Sequence, residues 1–203
     1  MAADPTADIV TLTQLVLHER QGRDRGRWDQ MRECLAADAR VALSWFHGTG
    51  AEFVEASARM AAGGTPATHR LGPAVVDVGG DRALIEIPAA IELRDELDGV
   101  QIDLASYARL LYRAERRDGR WWLVALDPIY ERDTIQPVVP GTTVHIDPSR
   151  LSGFREPYQL LAYVLTAKGF PIADDLCGED RPDQVAALYA EAYAWLAGGQ
   201  VAE

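Results

Sequence analysis

The chain has 203 residues, 48% of them hydrophobic, and a net charge of -11 from 31 acidic against 20 basic residues. That length builds one well-packed core with room for an extension. Its Lys and Arg residues are scattered among acids, which excludes the clustered basic surface that nucleic acid or an anionic membrane requires.

The N-terminus, MAADPTADIV, carries no basic n-region and no long apolar run, so no signal peptide is expected and the cytoplasm is the expected location. TADIVTLTQLVLHERQ places Ile9, Leu12, Leu15 and Val16 at helical spacing. After a short break, a second helix is predicted with Trp28, Met31, Cys34 and Leu35 on one face, and Cys34 as a buried thiol. VALSWF, residues 41–46, reads as a strand. Thr49 and Glu52 have the spacing of a capping box for a helix to about Ala62.

Sheet follows. THRLGPAVVDV, RALIEIPAAIELRDEL, VQIDLASYARLLYRAER and RWWLVALDPIYER are predicted strands, joined through a GGD turn and the turn signals Asp98-Gly99 and Asp118-Gly119. Pro73 and Pro88 suit bulges or bends rather than flat central strands. The pattern predicts an α+β fold: three N-terminal helices against a curved, mostly antiparallel sheet. Composition changes after about Ile135. QPVVPGTTVHIDPS reads as a linker, residues 153–168 as a helix, and GFPIADDLCGEDRP as a connection. A final helix then has Asp180 as its cap, Pro182 in its first turn, and Val185, Leu188, Tyr189 and Trp195 as apolar positions. The expected division is 1–134 as one domain and 135–203 as a two-helix extension.

Chemistry is sparse. There is no glycine-rich dinucleotide fingerprint, no P-loop and no GxSxG elbow. Two distant cysteines and four histidines suggest neither a disulfide framework nor a metal centre, so no cofactor or metal is expected. Asp24 and His69 are the most informative polar residues. An imidazole whose tautomer is fixed by a carboxylate is a useful general base near neutral pH. Two readings are open from the residues alone: Asp24 orients His69, or Asp24 caps the second helix while His69 is a satisfied sheet histidine.

RDRGRWDQMRECLAADARV, THRLGPAVVDVGGDRALIEI and SYARLLYRAERRDGRWWLV together resemble the SnoaL-like branch of the NTF2-like superfamily, over roughly residues 6–134. In that pattern an Asp precedes the helix tryptophan by four residues, as Asp24 precedes Trp28. A His opens a long strand, as His69 does, and the last hairpin carries an aromatic-rich turn, here Asp118 to Trp122. The resemblance implies an NTF2-like cone whose cavity admits a small aromatic or polycyclic molecule. In relatives of scytalone dehydratase and lindane dehydrochlorinase, an Asp–His pair stands in that cavity. By resemblance His69 removes a proton and Asp24 orients it. The chain departs from the pattern where scytalone dehydratase has a tyrosine before the Asp, here Arg23, and where an Arg is common in the last strand, here Asp127.

The expected activity is a cofactor-independent lyase, releasing water or a small aldehyde from a hydroxylated aromatic or polycyclic compound. An isomerase or cyclase, and a non-catalytic small-molecule binder, are the alternatives. Candidate substrate-binding residues are Trp45 and His47 at the end of the first strand, Asp103 and Tyr107, which share one strand face, Tyr130 near the last strand's end, and Arg155 in the extension. Arg70 should point away from His69. A homodimer is the expected assembly, with a trimer as the alternative.

Overall fold

The computed structural model describes residues 5–64 and 67–198. Helix α1 (Thr6–Asp24) is followed by a short α2 (Trp28–Arg32). Strand β1 (Leu35–Leu43) and β2 (Phe46–Thr49) form a hairpin, and α3 (Gly50–Ala62) leads to β3 (Thr68–Leu71) and β4 (Val75–Gly79). Three long strands follow: β5 (Arg82–Leu97), β6 (Val100–Arg117) and β7 (Arg120–Pro137). The extension contributes α4 (Pro148–Leu151), a 3-10 turn (Glu156–Tyr158), α5 (Gln159–Ala167), the two-residue β8 (Cys177–Gly178) and α6 (Pro182–Leu196). The sheet order is β2-β1-β7-β6-β5-β3, with β4 also on β5 and β8 on β7. All pairings are antiparallel except β1 with β7 and β7 with β8. This is the expected α+β cone with a helical C-terminal extension.

Local chemistry accounts for most of the elements. Both long hairpins turn on an Asp-Gly pair with φ positive at each residue, 48° and 80° at Asp98-Gly99 and 51° and 78° at Asp118-Gly119. Those angles suit a two-residue turn whose twist matches the strands. Thr49 Oγ1 accepts the Glu52 N–H while Glu52 Oε2 accepts the Thr49 N–H, closing the predicted capping box of α3. Pro88 sits within β5, where its carbonyl accepts the Gly72 N–H at 2.8 Å. A strand residue directs its N–H and C=O to the same side, so the donor that proline lacks faces the break between β3 and β4. Register shifts in β6–β7 between Tyr107 and Ala108 and between Arg113 and Ala114 add bends that curve the sheet.

Several boundaries differ from expectation. The second helix stops at Arg32, and Leu35 already begins β1. Pairing to β7 and packing under α3 override the helical propensity of the alanine-rich LAADA run. Cys34 is buried, as expected, but in the connection, where burial pushes its thiol up to about 12. Asp180 does not cap α6; its carboxylate is taken by Arg155 at 2.6 Å, and the capping position falls to Arg181.

Three apolar clusters organise the interior. Leu12, Val16, Met31, Phe53, Ile85, Ile87, Tyr112 and Leu123 join α1, α2 and α3 to one half of the concave sheet face. Leu93, Ile102, Leu104, Tyr130, Leu161, Val164 and Leu165 join α5 to the other half. Strand alternation puts Ile85, Ile87 and Leu93 of β5 on this one face. Leu84 and Leu111 point the other way, and there α6 covers them with Ala192 and Trp195. α6 thus covers part of the apolar outer sheet face within the chain.

Candidate active site

Asp24 is the last residue of α1. Gly22, two residues earlier, allows a close approach to α2: a Cβ there would stand 3.0 Å from the Met31 backbone N and 3.1 Å from the Arg27 carbonyl. A helix C-terminus is the unfavourable end for a carboxylate, so Asp24 needs other partners. It finds both in one residue of β3. The His69 backbone N–H donates to Oδ2 at 2.7 Å, and the ring Nδ1 lies 2.6 Å from Oδ1. No side chain caps α2, so the helix-capping reading of Asp24 fails. The ionised carboxylate only accepts, so Nδ1 carries the proton and Nε2 keeps its lone pair. The His69 side chain is 5% exposed and that of Asp24 12% exposed.

Around this pair lies a buried charged cluster. Glu19 and Arg20 form an ion pair, with Arg20 donating through Nε and Nη2. Arg20 Nη1 approaches His69 Nε2 at 3.4 Å, a long contact that holds the free nitrogen's place. Tyr112 Oη donates to Glu19 Oε2 at 3.2 Å. Burial pushes the Tyr112 hydroxyl well above its usual range. Burial also pulls His69 down to about 4, against the support of Asp24 and with the help of the Arg20 and Arg23 charges. The ring is therefore neutral at neutral pH, the form a base needs. Burial works to raise the Asp24 carboxyl, but its bonds to His69 prevail and hold it below the usual range.

The cavity beside His69 is lined by Arg20, Arg23, Leu43, Ser44, Trp45, Met60, Ile91, Leu93, Leu110 and Tyr130, and closed by Leu161 and Leu165 of α5. Its volume is about 30 Å³, space for roughly one water. Tyr130 donates to Ser44 Oγ at 3.0 Å and accepts the Ser44 N–H at 3.2 Å. Asp133 Oδ2 accepts the N–H groups of Leu160 and Leu161 at 2.7 and 2.8 Å, which fixes the start of α5 over this space. The extension thus supplies one wall of the cavity. Among the described residues, no group of three or more His, Cys, Asp or Glu side chains converges as a metal site.

Of the substrate-binding candidates, Trp45 and Tyr130 line this cavity with His69. The other four stand elsewhere. Asp103 and Tyr107 do share a face, but it is the outer one: Asp103 pairs with Arg94 at 2.8 Å, and Arg132 stacks on the Tyr107 ring. Alternation fixes this, because the neighbours Ile102, Leu104 and Ala108 take the core side. His47 is exposed on β2 and borders a separate groove with Asp127, whose carboxylate pairs with Arg40. Arg155 is consumed within the extension, bonded to Asp180 and to the Asp174 and Leu176 carbonyls, and stacked on Tyr158. Arg70 points outward to Glu92, as the alternation predicts.

The sequence reading missed Glu19, Arg20 and Arg23 as interior residues. The signal was present: the apolar stripe of α1 at Leu12 and Val16 continues, at helical spacing, onto 19, 20 and 23. A stripe that turns charged where it should be buried marks an interior polar site.

A family profile for the SnoaL-like domain matches residues 4–127. Pea pathogenicity protein 2 of Fusarium vanettenii is 27% identical over 189 residues, covering 88% of this chain and 81% of that protein. A PEP2-like protein of the same fungus is 28% identical with the same residue span and coverage of 88% and 81%. Among solved structures, the hexachlorocyclohexane dehydrochlorinase LinA-type3 of Novosphingobium barchaimii superposes with a TM-score of 0.55 at 17% identity, over 70% of this chain and 95% of that one. The Kfla4162 protein of Kribbella flavida gives 0.54 at 17% identity, over 62% and 91%. Among the described residues, no helix is long and apolar enough to cross a membrane. With more than half its length matched by that profile, the chain belongs to the SnoaL-like domain family, on an NTF2-like cone.

Proposed function

We propose that the chain is a cofactor-independent lyase that removes water or a small aldehyde from a hydroxylated aromatic or polycyclic compound. His69 is the general base and Asp24 its orienting partner. One observation carries the reading: Asp24 spends both carboxylate oxygens on His69, a ring that lines the cavity, so Nε2, with only the long Arg20 contact, is the nitrogen left for substrate. Nε2 takes a proton from substrate carbon or hydroxyl. Asp24 stabilises the imidazolium that results, and the tautomer needs no rearrangement before transfer. Leu43, Trp45, Ile91, Leu93 and Leu110 give this one-water space apolar walls, the lining a ring system needs once the space widens. The fold's occurrence in a dehydrochlorinase is consistent with elimination chemistry. A homodimer through the uncovered part of the outer sheet face is the proposed assembly, to be read by light scattering.

The test is a turnover screen of purified protein against hydroxylated aromatics, diaryl propane diols and polycyclic ketones, with product masses read by mass spectrometry and His69→Ala alongside. Loss of water or formaldehyde only with His69 intact supports the reading. An isomer of unchanged mass redirects it to an isomerase or cyclase. Turnover indifferent to the His69 change refutes the base, and tight binding without turnover assigns a carrier.

A further inference from the structure

Arg23 is the buried group in the cavity that the base mechanism does not use. It is 9% exposed and lines the same space as His69. A guanidinium offers five N–H donors in a rigid fork. Here Nε has no acceptor, and among the described residues the group forms no ion pair within salt-bridge distance. Its one hydrogen bond runs from Nη2 to the Met60 thioether at 3.6 Å, a weak acceptor. Its face rests against the Trp45 ring, 5.5 Å from the centroid. Leaving buried donors unfilled is costly, and burial together with the Arg20 charge pulls Arg23 down to about 10. Arg20, by contrast, gives Nε and Nη2 to Glu19 and turns Nη1 to His69.

The charges around the cavity specify what belongs on those donors. Glu19 and Asp24 balance Arg20 and Arg23 while His69 is neutral. A permanently anionic ligand would bring an uncompensated negative charge into this interior. A neutral acid that gives its proton to His69 would not: the imidazolium and the new oxyanion cancel, and the total stays zero throughout. Burying a balanced pair is far cheaper than burying one charge.

We propose that Arg23 is the oxyanion receptor of this cavity, and that the substrate is a neutral, weakly acidic oxygen compound, a phenol or an enolisable ketone, rather than a carboxylate. In the balanced step the O–H bond, or the C–H bond alpha to the carbonyl, breaks. Its proton goes to His69 Nε2, and the electron pair comes to rest on the oxygen held by the Arg23 N–H groups. Met60 occupies the receptor in the resting state and is the side chain a ligand displaces. Met60 and Trp45 also border an outer groove of about 560 Å³ lined by Phe46, Arg59, Lys168 and Phe170, so displacing Met60 opens the small cavity toward a space of ligand size. The proposal rests on the His69 reading for the proton's destination.

Graded nitrophenols, whose absorbance separates phenol from phenolate, test it on the intact protein below each probe's own pKa. The expected result is saturable binding with the phenolate band, the bound probe made about tenfold or more acidic, and benzoate of similar size bound at least about tenfold more weakly. Arg23→Gln abolishes the phenolate band, and Arg23→Lys restores part of it. Retention of the band in a folded Arg23→Gln protein overturns the proposal. So does benzoate binding as tightly as the phenols, or wild-type protein that binds the phenols un-ionised or not at all. These outcomes are separable from failure of the lyase reading, which is judged by His69-dependent turnover: ionised probe binding without turnover upholds the receptor and sinks the lyase, and the reverse pattern does the opposite.

Discussion

Replacing His69 by Gln removes a titrating group that burial holds near 4, against an ordinary 6.5 in the unfolded chain. Between those two values the unfolded chain binds a proton that the folded protein refuses. Stability from this group is therefore complete above about pH 6.5 and is lost as pH falls toward about 4. Each tenfold change in proton affinity is worth about 1.4 kcal/mol, so the full difference is on the order of 3 kcal/mol, most of it gone by about pH 4.5. Asp133 acts in the opposite sense, because burial raises its carboxyl to about 6 and the fold then favours its protonated form as pH falls. The wild-type curve mixes the two, and subtraction of the His69→Gln curve removes Asp133 and leaves His69 together with the Asp24 carboxyl it holds low. Asp24, held low, loses its contribution only below this window. Urea unfolding at about pH 7.5 and about pH 4.5 gives the two free energies for each protein. The wild type should lose roughly 2–3 kcal/mol more than the variant across that interval. Equal losses would refute the buried, neutral imidazole.

Other consequences follow from the same geometry. Asp24→Asn keeps an acceptor for the His69 backbone N–H but not the charge, so kcat should fall by roughly 10²–10⁴-fold with the fold retained by circular dichroism. The acid limb of kcat/KM should lie near the His69 value of about 4, leaving activity flat from about pH 6 to 8; half-loss near pH 6.5 would contradict it. Leu161→Ala enlarges the cavity from the α5 side and should cost about 2–5 kcal/mol in urea unfolding while strengthening binding of larger aromatic probes. Arg155→Ala removes the bonds to Asp180 and two carbonyls, and should lower stability by about 1–3 kcal/mol and speed proteolysis within residues 169–181, measured by limited digestion.

The legible parts of the fold were those set by local chemistry. Asp98-Gly99 and Asp118-Gly119 announce their hairpins because few other pairs accept positive φ twice in a row. Thr49 with Glu52 announces α3 because the box satisfies donors within four residues. The start of β1 was not legible, since LAADA has no strand-forming chemistry of its own and is held by β7 and α3 from a distance. The same limit applied to the site. Alternation tied Asp103 to Tyr107, but the tertiary packing of the N-terminal helices and α5 decides which sheet face is interior. Arg155 and Asp180 were each given a separate role when they serve one another. Arg23 stood out in the sequence as a departure from a family tyrosine, yet its burial against Trp45 and Met60 belongs to the folded chain alone.

Everything proposed for the site depends on His69 standing as a neutral, Nδ1-protonated base held by Asp24. Nitrogen-15 NMR of the imidazole, with His69→Gln for assignment, reads both features. The expected result is a protonated Nδ1 with a strongly hydrogen-bonded, downfield proton, an unprotonated Nε2, and no ring titration between about pH 8 and pH 5. A ring that protonates near pH 6.5, or one that carries its proton on Nε2, would contradict it.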